Sequence, residues 1–132
     1  MRRLALTIGA LALAAAGAAT AAAADSRLDR SLKMLAPSER LVQLCDYTAM
    51  DHVRKESGKY RPDRAVADAS AELRRKGNTL EAAGGAFRSR GKWYGITYRC
   101  AATPDNMKVL SFSYKVGPEI PQSKWASYGL WQ

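Results

Sequence analysis

Three hydrophobic patterns follow one another along this chain, and each points to a different kind of element. Leu4 to Ala19 is a near-continuous apolar run. From Ser26 the period becomes helical. Leu28, Leu32 and Leu35 fall at i, i+4 and i+7, which predicts a short amphipathic helix over Ser26–Leu35 with Ser26 as its N-cap. Pro37 closes that helix, because a residue before proline avoids helical angles, and it can open the next one as a first residue with Glu39 in the first turn. The second helix is expected to run to about Glu56 and to stop at Ser57-Gly58. Its buried stripe is Leu41, Leu44, Cys45, Thr48 and His52. Tyr60–Lys76 carries two readings. Val66, Ala69 and Leu73 stand at near-helical spacing between Pro62-Asp63 and Gly77, whereas the alternation around Val66 also suits a short edge strand. The helix is the preferred reading there.

From Thr79 the period changes to two. Leu80 and Ala82 alternate with polar neighbours until Gly84-Gly85 interrupts them. Adjacent glycines inside a strand pattern indicate a bulge or a close backbone approach, and a bulge would return Phe87 to the face of Leu80. Ser89-Arg90-Gly91 reads as a turn. Lys92–Ala102 then sets Tyr94, Ile96, Tyr98, Cys100 and Ala102 on one face, with Trp93, Thr97 and Arg99 on the other, toward solvent. After a turn at Thr103–Asn106, Lys108–Val116 places Leu110, Phe112, Tyr114 and Val116 on its apolar face. Gly117-Pro118 is expected to end that strand. A tail containing Trp125, Tyr128, Leu130 and Trp131 is too apolar to float free, and is expected to cover one end of the sheet or to dock a partner. The resulting fold class is α+β: N-terminal helices packed on a three-stranded or larger antiparallel meander.

The first apolar run alters how the rest is read. Met1-Arg2-Arg3, the run itself and Ala22-Ala23-Ala24 before Asp25 have the layout of a cleaved secretion signal over residues 1–24. Residues 25–132 are then one small domain. The arginine pair lacks the usual polar residue of a twin-arginine signal, so ordinary unfolded export is expected, to the periplasm or the medium. No membrane span is expected once the signal is gone. In such a compartment two cysteines are expected to pair. The helical period turns Cys45 inward and the strand period turns Cys100 inward, so a Cys45–Cys100 bridge from helix to central strand satisfies both.

That pairing removes the best catalytic candidate. His52 lies seven residues beyond Cys45 on the same helical face, and a Cys–His nucleophile would need a free thiol. One histidine with two paired cysteines cannot complete a metal site, and no cofactor motif is present. Asp46 and Asp51 diverge on the helix, and Asp68 and Glu72 would share a face only if helical. No catalytic residue, metal or cofactor is therefore assigned, and no enzyme is expected. The formal net charge is +9, and residues 52–99 hold twelve basic and five acidic side chains. Such an excess favours anionic partners.

The surface with most character is Arg88, Arg90, Lys92 and Trp93 around the turn, continuing to Arg99. Cations beside an exposed ring suit anionic or sugar-like ligands. The competing reading has Trp93 capping an edge while the arginines only solubilise the turn. The run Gly85-Ala86-Phe87-Arg88-Ser89-Arg90-Gly91-Lys92-Trp93-Tyr94, followed by Cys100, Pro104-Asp105, Ile120-Pro121 and Trp125, resembles a family of small exported alphaproteobacterial, mostly rhizobial, proteins catalogued as domain of unknown function 930. The resemblance spans roughly Leu28 to Trp131. It implies an envelope or secreted setting, and supplies no activity and no functional residues. The leading expectation is a non-catalytic binding module that takes an anionic envelope component or envelope protein on the basic turn. Nucleic acid is not expected. The alternative is an inhibitor-like or assembly protein gripping a partner through its aromatic tail, and an enzyme ranks last. The oligomeric state is left open.

Overall fold

The computed structural model describes residues 26–132, and the expected signal lies outside the described residues. The first helix, α1, covers residues 26–33, so Ser26 is helical rather than a cap. Leu32 is fully buried, with Leu28 and Leu35 packed beside it. The second helix, α2, spans Pro37–Glu56 with Pro37 in its first turn and Ser57 closing its last. Leu41, Leu44, Cys45, Ala49 and Val53 form its buried stripe, as the 3.6 period requires, whereas Thr48 and His52 lie at its margin. Arg40 ties the two helices to a distant loop, donating to the carbonyls of Leu32 (2.9 Å), Leu35 (3.1 Å) and Asp105 (2.9 Å). The Leu32 carbonyl also accepts the Leu35 N–H at 3.1 Å, so Arg40 adds a second donor where α1 ends.

Five antiparallel strands form one sheet: β1 (Pro62–Val66), β2 (Arg74–Lys76), β3 (Thr79–Ser89), β4 (Lys92–Ala102) and β5 (Val109–Glu119). β1 and β2 both line the outer edge of β3, β1 beside its Ala86–Ser89 end and β2 beside its Thr79–Glu81 end. The helix expected over Tyr60–Lys76 is therefore replaced by two strands. An unpaired edge of β3 would leave a row of backbone groups without partners, and two short edge strands supply them. Pro62 begins β1, a position where a missing N–H costs no ladder bond.

The expected bulge in β3 is present. Ala82 pairs with Tyr98 and Gly85 with Ile96, so Ala83 and Gly84 together oppose Thr97, and Phe87 returns to the core beside Leu80. Gly84 also carries the connection between β1 and β2. A side chain there would lie 2.4 Å from the Ala71 nitrogen, and the Ser70 N–H donates to the Gly84 carbonyl at 2.8 Å. Arg90 (φ 52°) and Gly91 (φ 76°) form the tight turn between β3 and β4. β5 corrects two expectations. A shift between the Ala101–Ser111 and Ala102–Val109 pairs turns Leu110 outward, where it is 70% exposed. A second shift lets the strand continue through Gly117-Pro118 to Glu119. β5 is an edge strand, and an edge tolerates proline at a bulge.

The sheet has a core on each face. The larger lies under α2 and contains Leu41, Leu44, Leu80, Phe87, Ile96 and Tyr98, with the Cys45–Cys100 disulfide across it (Cα–Cα 6.0 Å). On the far face, Trp93 is fully buried with Ala86, Ala69 and Leu130. The tail builds this second core: helix α3 (Gln122–Trp125), one 3-10 turn (Ala126–Tyr128) and a left-handed Gly129 bring Leu130 and Trp131 back over Trp93. Among the described residues, no helix is long and apolar enough to cross a membrane.

Candidate functional site

Strand alternation decides which side chains face away from α2. The tail covers that far face at the Trp93 end and leaves the other end open. The open half is built from rows of cross-strand partners. Arg74, Glu81, Arg99 and Ser113 form one row, and Lys76, Thr79, Ala101 and Ser111 form the row beside it. On the other side of the first row, Thr97 and Lys115 stand opposite each other on β4 and β5. Two shallow depressions mark this surface. One of about 380 Å³ lies over Glu81, Ala83, Thr97, Arg99, Ser113 and Lys115. The other, of about 230 Å³, lies among Arg74, Lys76, Thr79 and Arg99.

On these rows, among the described residues, Arg74, Lys76, Arg99 and Lys115 stand with one carboxylate, Glu81, whose Oε1 lies 3.5 Å from Arg99 Nη1. Among the described residues, Arg74, Lys76 and Lys115 have no carboxylate within ion-pair distance. Cations interleaved with the hydroxyls of Thr79, Thr97, Ser111 and Ser113 present both charge and neutral hydrogen-bonding groups to an anion. Among the described residues, no aromatic side chain stands on these rows.

The structure divides the residues proposed from sequence. Trp93 is not a ligand ring: it is fully buried, and its Nε1 donates to the Trp131 carbonyl at 2.7 Å. The error lay in treating the non-core face of β4 as solvent, when the tail covers half of it. Arg88 is committed as well. Its guanidinium holds Asp63 through two bonds (Nε–Oδ1 3.0 Å, Nη2–Oδ2 2.8 Å) and lies 6.0 Å from the ring centres of both Trp93 and Trp131. That pairing keeps the Asp63 carboxyl below its ordinary range and raises Arg88. Arg90 is exposed in the turn, and Lys92 reaches Glu119 at 3.5 Å. Arg99 lies six residues along β4 from Trp93, roughly 20 Å, on the open half-face. Of the sequence-derived set it alone belongs to the cationic rows. Arg74 and Lys76 were missed because their stretch reads as a helix. Their period-two spacing was the available signal.

Catalytic chemistry found no assembled set. Cys45 is bonded to Cys100. His52 stacks on Phe112 (4.9 Å between ring centres), with Nδ1 at 2.8 Å from Glu56 Oε1, while the Tyr114 hydroxyl donates to Glu56 Oε2. These two partners hold the Glu56 carboxyl below its ordinary range, the tyrosine contributing most. Among the described residues, no group of three or more His, Cys, Asp or Glu side chains is placed to hold a metal ion.

Asp46, set apart from Asp51 by the helical period, proves to be buried, which the sequence did not reveal. Asp46 lies on the inner side of α2, 6% exposed, and accepts from the Tyr98 hydroxyl at 2.8 Å. Burial pushes its carboxyl up from 3.8 to about 6, although the tyrosine bond opposes that and the nearby Asp68 reinforces it. The Tyr98 hydroxyl is raised in turn, first by its own burial and then by the carboxylate it serves.

A family model described as Domain of Unknown Function (DUF930) matches residues 32–130. No curated protein and no solved structure matches the chain.

Proposed function

We propose that this chain, which belongs to the DUF930 family, is an exported, non-catalytic binding module that holds an anionic component of the cell envelope on the open half of its sheet. The single observation that carries the proposal is the set of Arg74, Lys76, Arg99 and Lys115 on one flat surface with only Glu81 against them. Four cations held by a rigid sheet act together on a polyanion, whereas scattered surface lysines do not. The exported setting is supported by the signal-like residues 1–24 and by the disulfide, which oxidising compartments favour.

The test is retention of the oxidised protein on a long-chain polyphosphate probe across a salt series. If four cations each displace a counterion, affinity falls roughly 100-fold between about 50 mM and about 200 mM salt. Replacing Arg74, Lys76, Arg99 and Lys115 together by Ser removes most of the salt dependence. Replacing Arg90 and Lys92, which lie at the turn, leaves most of it in place. Salt-independent retention, or equal loss from both sets of substitutions, overturns the proposal.

A further inference from the structure

The opposite side of the molecule carries a cleft of different chemistry. It lies between α1, the middle of α2 and β1, with a volume of about 630 Å³, within the range of small-molecule sites. Leu28 and Leu32 of α1, Leu35 just after it, Met50 and Tyr47 of α2 and Ala65 of β1 make its walls largely apolar. Asp46 also lines it. One carboxylate oxygen, Oδ1, takes the Tyr98 bond, and among the described residues Tyr98 is the one side-chain donor to this carboxylate. No buried side-chain polar atom among the described residues lacks a partner, so Oδ2 retains contact with the cleft space.

Charge selects the ligand. The formal net charge is +9, yet among the described residues the charged groups lining this cleft are Glu39, Asp46 and Asp63 against Arg64. Asp63 is already held by Arg88. The remaining balance is acidic, opposite in sign to the rest of the protein. A lone carboxylate oxygen among leucines has a free-energy cost that a cation seated on it would offset.

We propose that this cleft binds a small amphipathic cation, its apolar body against the leucines of α1 and Met50 and its ammonium group on Asp46 Oδ2. The site is independent of the cationic half-face, because the two lie on opposite sides of the sheet. Its ligand class is an alkyl or aryl amine, and the cleft volume has room for a body larger than about ten heavy atoms.

The test compares n-octylammonium, octan-1-ol and octanoate by titration calorimetry of the oxidised protein. At about pH 8 the ammonium is expected to bind at least tenfold more tightly than the alcohol, and octanoate weakest, since a partly desolvated ion pair is worth about 1.4 kcal/mol or more. The preference for ammonium over alcohol should disappear as pH falls through about 6, where Asp46 takes up its proton. The groups facing Asp46 are Tyr98 from β4, Asp68 beyond β1, Asp63 and Arg64 on β1 and Glu39 on its own helix, and α1 contributes only neutral side chains to the cleft. Asp46→Asn should abolish the preference, and Glu39→Gln should keep it. Equal affinity for alcohol and ammonium, a preference that survives in Asp46→Asn, or saturable binding of none of the three overturns the proposal. The pH series on the unaltered protein decides the matter even if a variant folds poorly.

Discussion

Replacing Asp46 by Asn should make the protein more stable at neutral pH, although it alters a hydrogen-bonded residue in the main core. The carboxyl is 6% exposed, and its proton affinity rises from the ordinary 3.8 to about 6 on folding. At about 1.4 kcal/mol for each tenfold change in proton affinity, the difference amounts to about 3 kcal/mol. The folded state holds this proton more tightly than the unfolded one. The corresponding stability is therefore fully present below pH 3.8 and is lost as pH rises through about 6. Asparagine keeps an oxygen to accept from Tyr98 and has no charge to bury. The assay is urea denaturation of both proteins, disulfide intact, from about pH 3.5 to about pH 8 at fixed ionic strength. The stability of the variant relative to wild type should climb by about 2–3 kcal/mol across that range. Other carboxylates titrate too, among them Glu56, Asp63 and Asp105, whose lowered values act in the opposite sense, but they are common to both proteins and cancel in the difference. A relative stability that stays constant with pH would falsify the assignment of a buried, proton-binding carboxyl.

Two further substitutions examine the covered half of the sheet and the β3–β4 turn. Trp93→Ala should destabilise the protein by about 3–5 kcal/mol in the same denaturation assay, because it empties the centre of the second core. A loss below about 1 kcal/mol would mean the ring lies at the surface after all. Arg90 holds a left-handed backbone (φ 52°) in the two-residue turn, so Arg90→Asn should stabilise by about 0.5–1 kcal/mol, read as a rise in thermal midpoint. No rise would count against that turn geometry.

A buried carboxylate beside a cleft has a functional implication. Core positions are ordinarily filled by side chains that favour the fold, and Asp46 opposes it at neutral pH while facing a cleft. Stability given up at one buried position, beside a space of ligand size, is the pattern expected where binding rather than folding maintains the residue. The cationic half-face has a different character. Arg74, Lys76, Arg99 and Lys115 extend from an edge and a flat face, cost the core nothing, and act through number and alignment.

Periodicity alone was enough for the elements that bury one continuous face. Leu41, Leu44 and Cys45 on α2, and Ile96, Tyr98 and Cys100 on β4, are inward in the structure because each pattern permits only one orientation toward a core. The Cys45–Cys100 bridge and the Gly84-Gly85 bulge follow from the same rule, since both connect positions whose facing was already set. Three features needed the tertiary structure. Residues 60–76 became strands because β3 had an open edge to satisfy, and an edge is a property of the sheet, not of the segment that covers it. Trp93 became core because a tail some thirty residues away in sequence folds over it, so alternation placed it correctly off the main core but could not say whether water or protein lay there. The same coverage shields most of Arg88 and leaves Arg99 open, while strand pairing brings Arg74 and Lys76 of β2 and Lys115 of β5 into one surface with Arg99. Which face a residue takes is local, fixed by backbone geometry. What occupies the space opposite that face is decided only when distant segments compete to cover it.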